Sequence, residues 1–122
     1  MRLSRLTRSL WGVTLLLVPA CAEGSFIDEV VIVNDTNYTA NVDVQGKDSG
    51  WLALVTVGAD EMSDVEHVRD QGESWVFRFT YGAHDPVEIE ISRKELIDSN
   101  WKIAVPGEFE EELRNEGVPP PP

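Results

Sequence analysis

The stretch Ser74-Trp75-Val76-Phe77-Arg78-Phe79-Thr80-Tyr81 decides the fold class. Trp75, Phe77, Phe79 and Tyr81 share one face of a period-two pattern and Val76, Arg78 and Thr80 share the other, which is the alternation of a β-strand with one buried face. Aromatic side chains at every second position offer more apolar area than any other segment of the chain. At ~25 cal/mol per Å² withdrawn from water, this strand is expected at the centre of the core.

Working outward, the same period recurs in short segments bounded by turn residues. Ile27 to Val33 contains the continuous run Val30-Val31-Ile32-Val33 and predicts a central strand buried on both sides; Asn34-Asp35-Thr36-Asn37 then turns the chain. Tyr38 to Val44 alternates Ala40, Val42 and Val44 against Asn41 and Asp43, and Gly46-Lys47-Asp48-Ser49-Gly50 ends it. Trp51 to Val57 is a third strand, and the charged segment Ser63 to Arg69 predicts an edge strand, since its charges deter pairing with another chain. After Ser74 to Tyr81 and the turn Gly82-Ala83-His84-Asp85-Pro86, alternation resumes in Val87 to Ile91 and again in Trp101 to Val105.

Two helices interrupt this pattern near the C-terminus. Ser92-Arg93-Lys94-Glu95 fits a capping box and predicts a helix over Arg93 to Ser99. A second helix is expected after Gly107, with acidic residues in its first turn, Phe109 and Leu113 one turn apart, a Glu110–Arg114 pair and a stop at Gly117. The expected fold is therefore mainly β: a small antiparallel β-sandwich of about seven strands with one or two short helices near the C-terminus. It resembles immunoglobulin-like domains in architecture only, because the cysteine pair of antibody domains is missing.

The N-terminal segment carries a different message. Arg2, Arg5 and Arg8 precede an apolar run from Leu10 to Val18, too short to span a bilayer, that ends in Val18-Pro19-Ala20-Cys21. This resembles a bacterial lipoprotein signal with its lipobox, from which it departs at Pro19. The Val-Asn-Asp-Thr and Trp-Val-Phe-Arg-Phe stretches are also similar to small lipoproteins of actinobacterial type. The resemblance implies cleavage before Cys21, acylation of that cysteine and attachment to the outer face of the cell membrane. It divides the chain into a signal peptide at 1–20, an anchor and short tether at 21–25, a sandwich domain at 26–117 and a proline-rich tail at 118–122. The alternative is an ordinary secretory signal, which would leave the lone thiol free in an oxidising compartment.

Removal of the signal leaves 102 residues, one domain in size, with seven basic against 22 acidic side chains and a net charge of −15. Such a domain is no nucleic-acid binder, since counterion displacement needs a basic stripe. It suits a basic protein or envelope partner. The chain shows no Gly-x-Ser-x-Gly or Ser-x-x-Lys nucleophile motif, and His67 and His84 stand in no catalytic spacing, so no enzyme activity is expected. No cofactor is expected either: zinc lacks a closely spaced ligand set, and the carboxylates Asp60, Glu61, Asp64 and Glu66 lack the loop spacing of an EF-hand.

The sequons at Asn34 and Asn37 read as turn chemistry. Trp51, Trp75 and Trp101 each read as core or as the lining of a groove, with Trp51, beside Gly50, the best candidate for a groove. The expected role is a non-catalytic interaction or structural module of the cell envelope, with Trp51, Asp60, Asp64 and Glu66 as its candidate face. The alternative is an extracytoplasmic ligand- or metal-binding lipoprotein or, further off, a small hydrolase.

Overall fold

A computed structural model describes residues 25–46 and 50–121. The expected signal peptide at 1–20, Cys21 and residues 22–24 of the expected tether lie outside the described residues. The ordered chain runs β1 (Phe26–Asn34), β2 (Ala40–Gln45), β3 (Trp51–Val57), β4 (Glu61–Arg69), β5 (Ser74–Thr80), β6 (Val87–Ser92), α1 (Arg93–Asp98), β7 (Lys102–Ala104) and α2 (Gly107–Asn115).

The strands form two sheets, of order β3-β2-β5-β6 and β4-β1-β7. The fold is thus the mainly β sandwich expected, with both helices near the C-terminus. The aromatic strand β5 sits inside the larger sheet. Phe77 pairs with Val44 of β2 and Ile89 of β6, Phe79 with Val42 and Val87, and Trp75 with Ile91. Trp75, Phe77 and Phe79 are fully buried. They meet Val30 and Ile32 of β1 and Ile103 of β7 in one apolar cluster. Tyr81 lies just past the strand, half-buried, with its ring edge-on to that of Tyr38 at 5.6 Å.

The strand order differs from that of antibody constant domains, in which the first two strands are neighbours. Here β1 and β2 belong to opposite sheets, and β1 is the central strand of the smaller one. It is not buried on both faces. Val30 and Ile32 face the core, whereas Val31 and Val33 are half-buried on the outer face. β4 is an edge strand, as its charges required.

One pairing is parallel, that of β7 with β1. The long stretch of chain between them, from β2 through β6 and α1, makes it possible, since parallel neighbours need a long connection rather than a hairpin. α1 carries the predicted capping box: the Ser92 hydroxyl accepts from the Glu95 amide at 3.1 Å, and the Glu95 carboxylate accepts from the Ser92 amide at 3.2 Å. The sequence pattern placed Trp101 at the start of the last strand. Instead Asn100 and Trp101 both take left-handed backbone conformations, φ 58° and 59°, and the strand begins at Lys102. That conformation is rare for a bulky residue. It lets the Trp101 amide cap α1 by donating to Leu96 O at 2.7 Å, and brings its ring edge-on to Trp75 at 5.2 Å.

At the far end of β1, Asn34 is completely buried. Its Nδ2 donates to the carbonyls of Tyr38 (2.8 Å), Val57 (3.1 Å) and Gly58 (3.0 Å), and its Oδ1 accepts from the amide and hydroxyl of Thr36 at 3.0 and 2.7 Å. One side chain therefore ties β1 to the β1–β2 turn and to the end of β3, joining the two sheets. The sequon at Asn34 is thus turn chemistry.

Candidate functional site

The end of the sandwich where β1 begins is built from Phe26, His67 and Trp101. His67 takes a left-handed conformation within β4, φ 59°, and breaks the alternation there, so that Glu66 and His67 are both exposed before Val68 turns inward. Its ring stacks on that of Phe26 at 3.9 Å. Phe26 is 42% exposed, which makes this stacked pair an apolar knob at the point where the chain from Cys21 enters the domain.

The outer face of the smaller sheet carries Asp64 and Glu66. Register places Glu66 directly opposite Glu29 of β1, and Asp64 opposite Val31, whose other neighbour is Lys102. Like charges facing each other across strands are unfavourable. The Glu29 pKa is raised accordingly: a shared hydrogen bond with Asp64 is the main cause, followed by desolvation and by the negative charges of Asp64 and Glu66. This face can accept hydrogen bonds from lysine or arginine side chains.

Trp51 and Asp60 do not join it. Trp51 belongs to the other sheet, where the Arg78 guanidinium lies over its ring at 4.3 Å and is itself held by Asp43 at 2.8 Å. One face of the indole is therefore covered from within. Asp60 sits in the β3–β4 turn, at the opposite end of β3 from Trp51, with its amide donating to Thr36 O at 3.1 Å. The structure thus brings together Asp64 and Glu66, adds Glu29, and separates both Trp51 and Asp60 from them.

A second acidic surface escaped the sequence reading. α2 packs across the Asn34 end of the sandwich through Phe109 and Leu113, with Glu110 bonded to Asn37, leaving Glu108, Glu111, Glu112 and Glu116 exposed. Glu110 is held in place by Asn37 and Arg114, both at 2.8 Å. Burial pushes its carboxyl up, but these two partners outweigh that and hold its pKa below the ordinary value. The run Glu108-Phe109-Glu110-Glu111-Glu112 is the available signal, and in the sequence it reads as favourable charge at a helix N-terminus together with a Glu110–Arg114 pair.

No family model, curated protein or solved structure matches this chain. Its chemistry therefore has to be read from its own residues. His84 pairs through Nδ1 with Glu116 at 2.7 Å and stacks near Tyr81, which ties the β5–β6 turn to the end of α2. Among the described residues, no three His, Cys, Asp or Glu side chains are grouped so as to hold a metal ion.

Proposed function

We propose that this chain is an exported lipoprotein, anchored through acylated Cys21 to the outer face of the cell membrane, and that its domain is a non-catalytic module that engages a basic protein or envelope partner. One observation carries the reading: the entry point of the chain and the acidic helix α2 lie at opposite ends of the sandwich. Phe26 follows Cys21 by five residues, which span at most ~18 Å. Attachment at Cys21 therefore sets the Phe26–His67 end against the bilayer. The Asn34 end, with α2 and Asp60, then points away from the membrane.

A net charge of −15 on such a domain discourages flat adsorption on anionic lipid and draws cationic surfaces toward it. Binding of this kind weakens with salt, because exposed charges are screened over ~8 Å at physiological ionic strength. Crosslinking in intact membranes tests the proposal. A basic partner should be captured at low salt, and capture should fall at high salt and on charge reversal at Glu111 and Glu112, or at Asp64 and Glu66. Capture that survives both high salt and charge reversal at either face would overturn it.

A further inference from the structure

The end of the domain at which the chain enters differs from the opposite end in both apolar exposure and charge. Register places the start of β1, the end of β4, the starts of β3 and β5 and the end of β6 there, together with α1. Two exposed large apolar side chains lie at this end, Phe26 at 42% and Ile97 at 54% exposure. Phe26 is held by its stack on His67, and the Ile97 carbonyl accepts from the amide of Asn100, which lines a depression together with Phe26 and Trp101. Over residues 69–74 and 92–101, three basic side chains stand against four acidic ones, and two of the three are paired, Arg93 with Asp70 and Lys94 with Asp98. The Asn34 end is different. Residues 34–40, 57–61, 81–87 and 105–118, which form it, carry nine carboxylates against the guanidinium of Arg114.

We propose that this end is a membrane-docking surface, on which Phe26 and Ile97 enter the headgroup layer of the bilayer that holds Cys21. The proposal rests on the lipoprotein reading above and goes beyond it, since an anchor alone would leave the domain swinging on its tether. Three features select lipid as the occupant. Five residues from Cys21 to Phe26 span at most ~18 Å, whereas a folded domain of about 100 residues has a radius of gyration of ~13 Å, so no partner domain fits between this end and the membrane. Exposed apolar side chains beside the indole of Trp101 suit the interface, where aromatic and aliphatic groups sit at headgroup level. The near balance of charge makes this the end that an anionic leaflet repels least, and repulsion of the acidic far end favours the same orientation. The stack on His67 already orders the Phe26 ring, so docking costs little side-chain entropy, and the short tether keeps the surface at high effective concentration.

Paramagnetic broadening tests this on the ¹⁵N-labelled chain purified from membranes and placed in nanodiscs of phosphatidylethanolamine and phosphatidylglycerol, with a nitroxide high on the lipid acyl chains. The amides of Phe26, His67, Ile97 and Asn100 should broaden, while those of α2, ~30 Å away by the length of the nine-residue β1, should stay sharp. In Phe26→Ser and in Ile97→Ser the ratio of docked to undocked domain should fall about tenfold, the factor that partial burial of one large apolar side chain supplies. Both residues are exposed, and the amide spectrum itself reports that each variant is folded. Broadening spread evenly over the domain, broadening centred on α2, or broadening unchanged in both variants would overturn the proposal. Intact mass of the same sample separates this from failure of the anchor. An acylated chain whose Phe26 end stays sharp overturns the docking alone, and an unmodified Cys21 overturns both.

Discussion

Replacing Asn34 by aspartate exchanges one NH2 group for oxygen and leaves shape almost unchanged, yet it should be among the most damaging substitutions in the chain. In the native protein the amide nitrogen supplies three carbonyls, those of Tyr38, Val57 and Gly58, at a site with no exposure. Asn34→Asp keeps the two bonds accepted from Thr36 and removes both N–H donors. At ~1–3 kcal/mol for each buried group left unmatched, the loss is ~2–6 kcal/mol. A buried carboxylate facing carbonyl oxygens adds repulsion, which the group relieves by taking up a proton. Its folded-state pKa is then raised above the unfolded value of ~3.9. The stability of the variant is therefore fully present below that unfolded value and is lost as pH rises through the folded pKa. Urea unfolding followed by tryptophan fluorescence at several pH values measures this. The expected result is a midpoint far below that of the parent at neutral pH, with the gap narrowing in acid. A neutral-pH stability within ~0.5 kcal/mol of the parent would refute the reasoning, because Asn34 would then not join the sheets.

Other predictions follow from the same contacts. Phe77→Ala removes a fully buried ring between Val44 and Ile89 and should cost ~3–5 kcal/mol in denaturant unfolding, a large share of the ~5–15 kcal/mol typical of a domain; an unchanged midpoint would place this face in solvent. Glu29 has a raised pKa, so its contribution is fully present below the ordinary carboxylate range and is lost as pH rises through the folded value; Glu29→Gln should raise the melting temperature at neutral pH and make no difference in acid. Glu110 behaves in the opposite sense. The stability it contributes is present above its unfolded pKa and is lost as pH falls through the lowered folded value, so Glu110→Gln should matter at neutral pH and not in strong acid. Millimolar calcium should raise the melting temperature no more than matched ionic strength does; a larger rise would reveal a specific site.

Local chemistry was the legible part of this fold. The alternation around Phe77 and the Ser92–Glu95 capping box depend on neighbours a few residues apart, and both appear where the sequence placed them. What depended on distant partners did not show. The Val30–Val33 run reads as doubly buried, but only pairing with β4 and β7 reveals that its outer face is uncovered by a further layer. Trp101 fits the periodicity of the strand after it, whereas its backbone is set by the end of the helix before it. Asn34 resembles any turn asparagine until Val57 and Gly58, more than twenty residues away, arrive as its partners. Trp51, Asp60, Asp64 and Glu66 are near one another along the chain, but β3 and β4 belong to different sheets, and adjacency in sequence became separation in space.

The orientation of the domain and its proposed role both rest on Cys21. Intact-mass and N-terminal peptide analysis of the protein purified from membranes tests that basis most directly. The account predicts a mature chain that begins at Cys21 and carries a diacylglycerol on its sulfur, with Cys21→Ser released from the membrane fraction. A mature N-terminus elsewhere, or an unmodified Cys21 thiol on protein that is still membrane-bound, would contradict it.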